Sequence, residues 1–145
     1  MVVQFPQKAA QAIAAAFPNL VMQDTPVVTR FMDGEKEAID LMKPIGSALW
    51  PRLLVEAREL QIDEGTIRIP VLEGVLAAKF AAMMSPHRRL LDKQQDGIDF
   101  ARIIVANSQI NLALLAELGE LVFSGGGVFV TKLCEDARAS RPLEF

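Results

Sequence analysis

The stretch from Leu72 to Ile104 constrains the fold most, because it sets one cation and two carboxylates on helix faces that burial should claim. In Leu72-Glu-Gly-Val75-Leu76-Ala-Ala-Lys79-Phe80-Ala-Ala-Met83, positions 72, 75, 76, 79, 80 and 83 fall on one stripe at helical spacing, with Lys79 in its middle. A lysine placed there needs an anionic partner, since an ammonium taken out of water unpaired is costly. Downstream, Asp96-Gly-Ile-Asp99-Phe100-Ala-Arg-Ile103-Ile104 puts two aspartates three apart, in line with Phe100, Ile103 and Ile104. Two helices packed along these stripes bring Lys79 to the acids.

At 145 residues the chain has the size of one domain, 1–145, read as an α/β hairpin half over 1–70 and a helical half over 71–145. Apolar residues make up 51% and charged residues 23%, which excludes a disordered chain and leaves a globular one with an alanine-rich helical bias. Residues 1–75 carry 7 basic and 10 acidic side chains, and residues 76–145 carry 8 of each. Neither half has the basic excess of a nucleic-acid-binding surface, so a nucleic-acid partner is not expected.

Cys134 is the single cysteine, so an intramolecular disulfide is excluded and a reducing compartment fits. It lies at helical spacing with Val130, Leu133 and Ala137, the pattern of a buried structural thiol rather than a nucleophile. No stretch reaches the 18 or so uncharged apolar residues a membrane span needs. Met1-Val-Val-Gln-Phe-Pro-Gln-Lys8 lacks a basic start followed by an apolar core, so it does not read as a signal peptide. These features together give the expectation of a cytoplasmic protein without membrane contact.

Pro6 suits a first helical position, and the alanine-rich run from Gln7 to Phe17 ends at Pro18-Asn19. Val27 to Met32, then Asp33-Gly34, then Ala38 to Met42 give a β-hairpin. Glu59–Ile62 and Thr66–Ile69 around Asp63-Glu64-Gly65 give a second hairpin, and between the two Ser47 to Ala57 reads as a short helix interrupted by Pro51. Four helical segments follow Pro70, at about 71–84, 93–107, 109–123 and 128–139, with Ser85-Pro86 between the first two and Gly125-Gly126-Gly127 turning into the last. The expected fold is α+β, a small mostly antiparallel sheet of two hairpins followed by a bundle of about four helices.

Several side chains are candidates for chemistry. Lys79, Asp96 and Asp99 form either an internal ion pair that fixes helix register or the lining of a cleft where the lysine meets a phosphate. Asp40 stands between Ile39 and Leu41 on a strand, so it points to the opposite face and is a candidate metal carboxylate. One carboxylate falls short of what a magnesium site usually recruits, and no D-x-D partner occurs on a plausible neighbouring strand. His87-Arg88-Arg89 is the compact basic cluster, and Arg88 and Arg89 are the phosphate-binding candidates. With His87 as the only histidine, zinc sites of histidine and cysteine and most Ser-His or Cys-His devices are excluded. Ser124-Gly-Gly-Gly127 does not meet the P-loop pattern, because Thr131 precedes Lys132 with no second glycine in place; a turn using glycine at positive φ accounts for it.

Leu72-Glu73, Lys79, Arg88, Arg89, Lys93 and Asp96-x-x-Asp99 resemble the carboxy-terminal half of the nucleotidyltransferase-like superfamily, including abortive-infection toxins of the AbiEii kind. Ile39-Asp40-Leu41 is similar to the strand carrying that family's third carboxylate, and the likeness runs from about residue 7 to 107. The family's glycine-serine turn and D-x-D strand, which hold two metals and the nucleotide, belong upstream of the segment matching Gln7 to Phe17. The resemblance thus implies a truncated domain without the D-x-D metal site, non-catalytic alone, cofactor-free, and acting as a binding or regulatory protein. Loss of part of a sheet leaves an open edge, which implies a homodimer or a partner protein. Two alternatives stand beside it. One is a metal-dependent nucleotidyltransferase whose site, with magnesium and nucleotide, is completed around Asp40 by a partner chain; the other is a small interaction protein unrelated to nucleotides.

Overall fold

Pro6 supplies the fixed φ and missing N–H that a first helical turn accepts, and α1 (Pro6–Ala16) starts there in the computed structural model, which describes residues 5–43, 47–62 and 65–145. The chain is mixed α+β and divides into two compact units, Met1–Leu54 and Val55–Phe145. Among the described residues no helix is long and apolar enough to cross a membrane.

In the first unit α1 is followed by β1 (Val21–Asp24), β2 (Val28–Asp33) and β3 (Lys36–Met42), an antiparallel sheet in the order β1-β2-β3. The expected hairpin is β2–β3, closed by Gly34 at φ 61, the first loop position, where a positive φ is cheapest for glycine. The short and wholly exposed β1 was not expected; it adds to β2 with Met22 opposite Phe31 and Asp24 opposite Thr29. Phe31, Ile39 and Leu41 share one face, and Ala9, Ala10 and Ile13 of α1 pack with them and Leu20 into a small core. At the far end of the sheet Lys43 Nζ reaches Asp24 Oδ1 at 2.8 Å and Thr25 O at 2.6 Å, and the Thr29 hydroxyl also donates to Asp24.

The short helix α2 (Leu49–Glu56) spans the boundary between the units and buries Leu49 and Leu53, one turn apart. It runs unbroken through Pro51, contrary to expectation. Pro51 lies in the first turn, where no intrahelical N–H bond is lost.

The second unit opens with the hairpin β4 (Arg58–Ile62) and β5 (Gly65–Ile69), in which Leu60 pairs with Ile67 and Arg58 with Ile69. Four helices follow, α3 (Leu72–Met84), α4 (Leu90–Ala106), α5 (Leu112–Glu120) and α6 (Gly126–Arg138). The main packing is of α3 on α4 and α5 and of α6 on α5 and α4, and Phe80 of α3 also meets Phe129 of α6 with ring centroids 6.1 Å apart. Phe80, Phe100, Leu76, Met83, Ile104, Leu115, Leu118, Val130 and Leu133 are buried side chains of this group. Cys134 is buried with Val130, Leu133 and Ala137, as its spacing required. Burial pushes its thiol up to about 11, which keeps it protonated and unreactive at neutral pH.

The glycine run before α6 supplies the expected positive-φ turn at one position and a second feature at the next two. Gly125 alone takes positive φ, at 86, while Gly126 and Gly127 are already helical. A Cβ on Gly126 would stand 2.2 Å from Gly119 O, and one on Gly127 2.6 Å from Ala116 O. These two glycines therefore let α6 lie directly on the backbone of α5. Glu120 braces the turn, its two carboxylate oxygens accepting the N–H groups of Gly125 at 2.8 Å and Gly127 at 3.1 Å. Those two backbone hydrogen bonds hold its carboxyl below the usual glutamate range.

Candidate functional site

Lys79 on α3 and Asp96 and Asp99 on α4 come together as their spacing predicted. Lys79 Nζ donates to Asp96 Oδ1 at 2.9 Å and to Asp99 Oδ2 at 2.8 Å. The buried face of α3, however, is centred on Glu73, Leu76, Ala77, Phe80 and Met83. Lys79 lies at the edge of that face with its side chain 29% exposed, and of the two acids Asp96 is the buried one, at 6%. An edge position suits a lysine, because the stem is covered while the ammonium still finds its anions.

The loop before α4 adds a second cation. Arg88 Nε stands 2.7 Å from Asp96 Oδ2, an ion pair in which the N–H is off the hydrogen-bond direction. Asp96 is thus held between Lys79 and Arg88. Asp99 also accepts from Gln95 Nε2 at 2.9 Å, one turn back on α4. The hydrogen bonds from Lys79 and then Gln95 hold the Asp99 carboxyl below its usual range. For Lys79, burial pulls the ammonium pKa down, but the hydrogen bonds to Asp99 and Asp96 outweigh it and the net shift is upward.

Arg89 turns to Asp92 in the first turn of α4, with Nε to Oδ2 at 2.8 Å and a second nitrogen to Oδ1 at 3.1 Å. Both arginines of the basic loop therefore face carboxylates of α4. This is the geometry of a charged brace, with cations and anions interleaved.

Asp40 lies on the sheet face opposite Phe31, Ile39 and Leu41, as strand alternation required. Across from it on β2 is Arg30, whose Nε is 3.5 Å from Asp40 Oδ1 and whose Nη1 is 2.9 Å from Glu37 Oε1. Glu37 reaches this face through a bulge. Phe31 pairs with Ile39 but Met32 pairs with Glu37, so Ala38 is an extra residue that shifts the alternation by one. Regular alternation sends Glu37 and Asp40 to opposite faces, so no D-x-D spacing marks this pair. Two carboxylates do share a face, but Arg30 lies against both, and with that cation in place the set does not suit a divalent ion. Among the described residues no group of three or more His, Cys, Asp or Glu side chains is set to hold a metal ion.

Sequence reasoning missed two further buried carboxylates and their partners. Glu73, 7% exposed, accepts the N–H of Asn111 at 2.7 Å, and Asn111 in turn caps α5 by accepting from Leu114 N at 3.1 Å. Asp136, 4% exposed, takes Lys132 Nζ at 2.6 Å and Arg141 Nε at 2.7 Å. The i,i+4 spacing of Lys132 and Asp136 was a visible signal. Glu73 was not, since its partner is a backbone group 38 residues away.

No known protein-family model matches this chain, and no curated protein matches it.

Proposed function

We propose that this chain is a binding or regulatory protein that carries out no nucleotidyl transfer alone, built on what resembles the portion of a nucleotidyltransferase-like domain downstream of its metal signature. One observation carries the reading. The charged groups that would serve a phosphate or a metal are turned toward one another: Lys79 toward Asp96 and Asp99, Arg88 toward Asp96, Arg89 toward Asp92, and Arg30 toward Asp40 and Glu37. A cation already sharing two carboxylates has to give them up before it can hold a phosphate. A cytoplasmic setting accords with the lone, buried cysteine.

The competing enzyme reading needs a partner chain to draw Arg30 away and complete a magnesium and nucleotide site around Asp40. Calorimetric titration of the full chain with magnesium and nucleoside triphosphates separates the two. Our reading expects no saturable heat, and saturable binding that Asp40→Asn abolishes would replace it with the enzyme.

Association is part of the proposal, as a homodimer. The supporting feature is β1, an edge strand whose four residues are all exposed, including Val21 at 60% and Met22 at 52%. Light scattering after size exclusion is expected to give twice the mass of the 145-residue chain at micromolar concentration. A monomer mass there would remove the second copy from the reading.

A further inference from the structure

A groove of about 540 Å³ runs along α4 in the second unit, with Leu90, Ile98 and Ala101 on its helical side and Leu143 and Phe145 on the other. Its floor has a notch at Gly97. A Cβ there would stand 2.7 and 2.8 Å from two ring carbons of Phe145, and the next nearest atom is Met83 Cε at 3.9 Å. The absent side chain is thus what lets an aromatic ring sit on the helix backbone.

The segment that delivers the ring is lightly held. Arg141 donates its N–H to Asp136 O at 2.8 Å and its Nε to Asp136 Oδ1 at 2.7 Å. Beyond it, residues 142–145 form no helix or strand, and Phe145 remains 43% exposed even in the notch. Pro142 fixes its own φ and biases Arg141 toward extended backbone, so little entropy is lost when the segment lies along α4. The apolar surface of α4 continues past what this segment covers, with Leu90 69% and Leu91 76% exposed.

Resting on the reading of the chain as a binding protein, we propose that the face of α4 now covered by Leu143 and Phe145 docks an extended partner peptide with an aromatic anchor for the Gly97 notch, an aliphatic residue two positions before it, and a basic residue two before that. The chain's own Arg141-Pro-Leu143-Glu-Phe145 carries these groups at this spacing and is the resident competitor. The structure itself displays the chemistry that the groove accepts. A partner must displace Phe145, which makes the segment an autoinhibitory plug.

The probe is a synthetic amidated peptide with the sequence of residues 139–145, added to the full-length chain and followed by the amide shifts of Gly97 and Ile98 in solution NMR. Phe145→Ala empties the notch, and this variant is expected to bind the peptide at least about tenfold more tightly than the wild type, the effect of removing one competing aromatic anchor. A peptide carrying alanine at the Phe145 position is expected to lose that gain. Gly97→Ala in the Phe145→Ala background fills the notch with a methyl that meets nothing else closely, so the helix stands and binding is lost. Equal or absent binding by wild type and Phe145→Ala, or unchanged binding after Gly97→Ala, overturns the proposal. Either result leaves the calorimetric comparison untouched, and a saturable nucleotide heat would remove the binding-protein reading without altering the peptide result.

Discussion

Lys79→Met is expected to lower the unfolding free energy by about 3 kcal/mol, the lower end of what breaking a buried ion pair costs. The reason is the neighbour it leaves behind. Asp96 is almost wholly buried and would keep only Arg88, whose Nε is misaligned and whose side chain is 44% exposed. Asp96→Asn is expected to cost less, because Lys79 retains Asp99 at 2.8 Å and lies close enough to the surface to find water. Urea denaturation at neutral pH measures both, and a smaller loss for Lys79→Met than for Asp96→Asn would show that Asp96 does not depend on the lysine.

The same substitution has a pH signature. Asp99 has a depressed carboxyl in the folded chain, so its contribution is present above its ordinary value of 3.8 and is lost as pH falls through the lower folded value. Lys79 has the opposite sign, its raised pKa making its contribution complete below 10.5 and lost only as pH rises past the folded value. In Lys79→Met the fall in stability below pH 3.8 should be shallower than in the wild type. It should not vanish, because Asp136, held low by Lys132 and Arg141, and Glu120, held low by Gly125 and Gly127, titrate in the same direction.

The second large effect is expected at Gly126. A methyl there meets a backbone carbonyl, Gly119 O at 2.2 Å, and a carbonyl within a packed helix has no rotamer by which to move aside. Helices α5 and α6 must separate, and Gly126→Ala should cost about 3 kcal/mol, the upper end of the usual overpacking range. The adjacent Gly125 provides the control. Nothing lies within 4 Å of its missing Cβ, so Gly125→Ala meets only the left-handed backbone at φ 86 and should cost about 1–2 kcal/mol. Thermal or urea unfolding of the pair checks the order, and equal losses would mean the close approach is relieved by a small shift of α6.

The residues that misled the reading show where hydropathy stops being informative. On α3 nearly every position is apolar or alanine, so the stripe had no clear edge and its centre was set one step from where burial places it. Lys79 was nevertheless assigned to the right acids, because a charge in such a helix has few places to go. Both hairpins were legible from β-branched runs around Asp33-Gly34 and Asp63-Glu64-Gly65, although residues 63 and 64 lie outside the described residues. Strand β1, Val-Met-Gln-Asp, was not, since an exposed edge strand needs no alternation. Residue type alone starts α6 at 128, two residues late, because a glycine run signals a turn, whereas Gly126 and Gly127 are helical and serve interhelical closeness. The Ala38 bulge left no mark in residue type, so Glu37 beside Asp40 emerged only from strand register.

The protonated, enclosed state of Cys134 gives the chain a practical property. Its single thiol is shielded from alkylating reagents while the helices stay closed, so its labelling rate times the opening of the second unit. A cysteine engineered on the open side of α6, at Val128 with 79% exposure, would react at once against that slow background. The chain is therefore a ready host for site-specific fluorophores without removal of its own thiol.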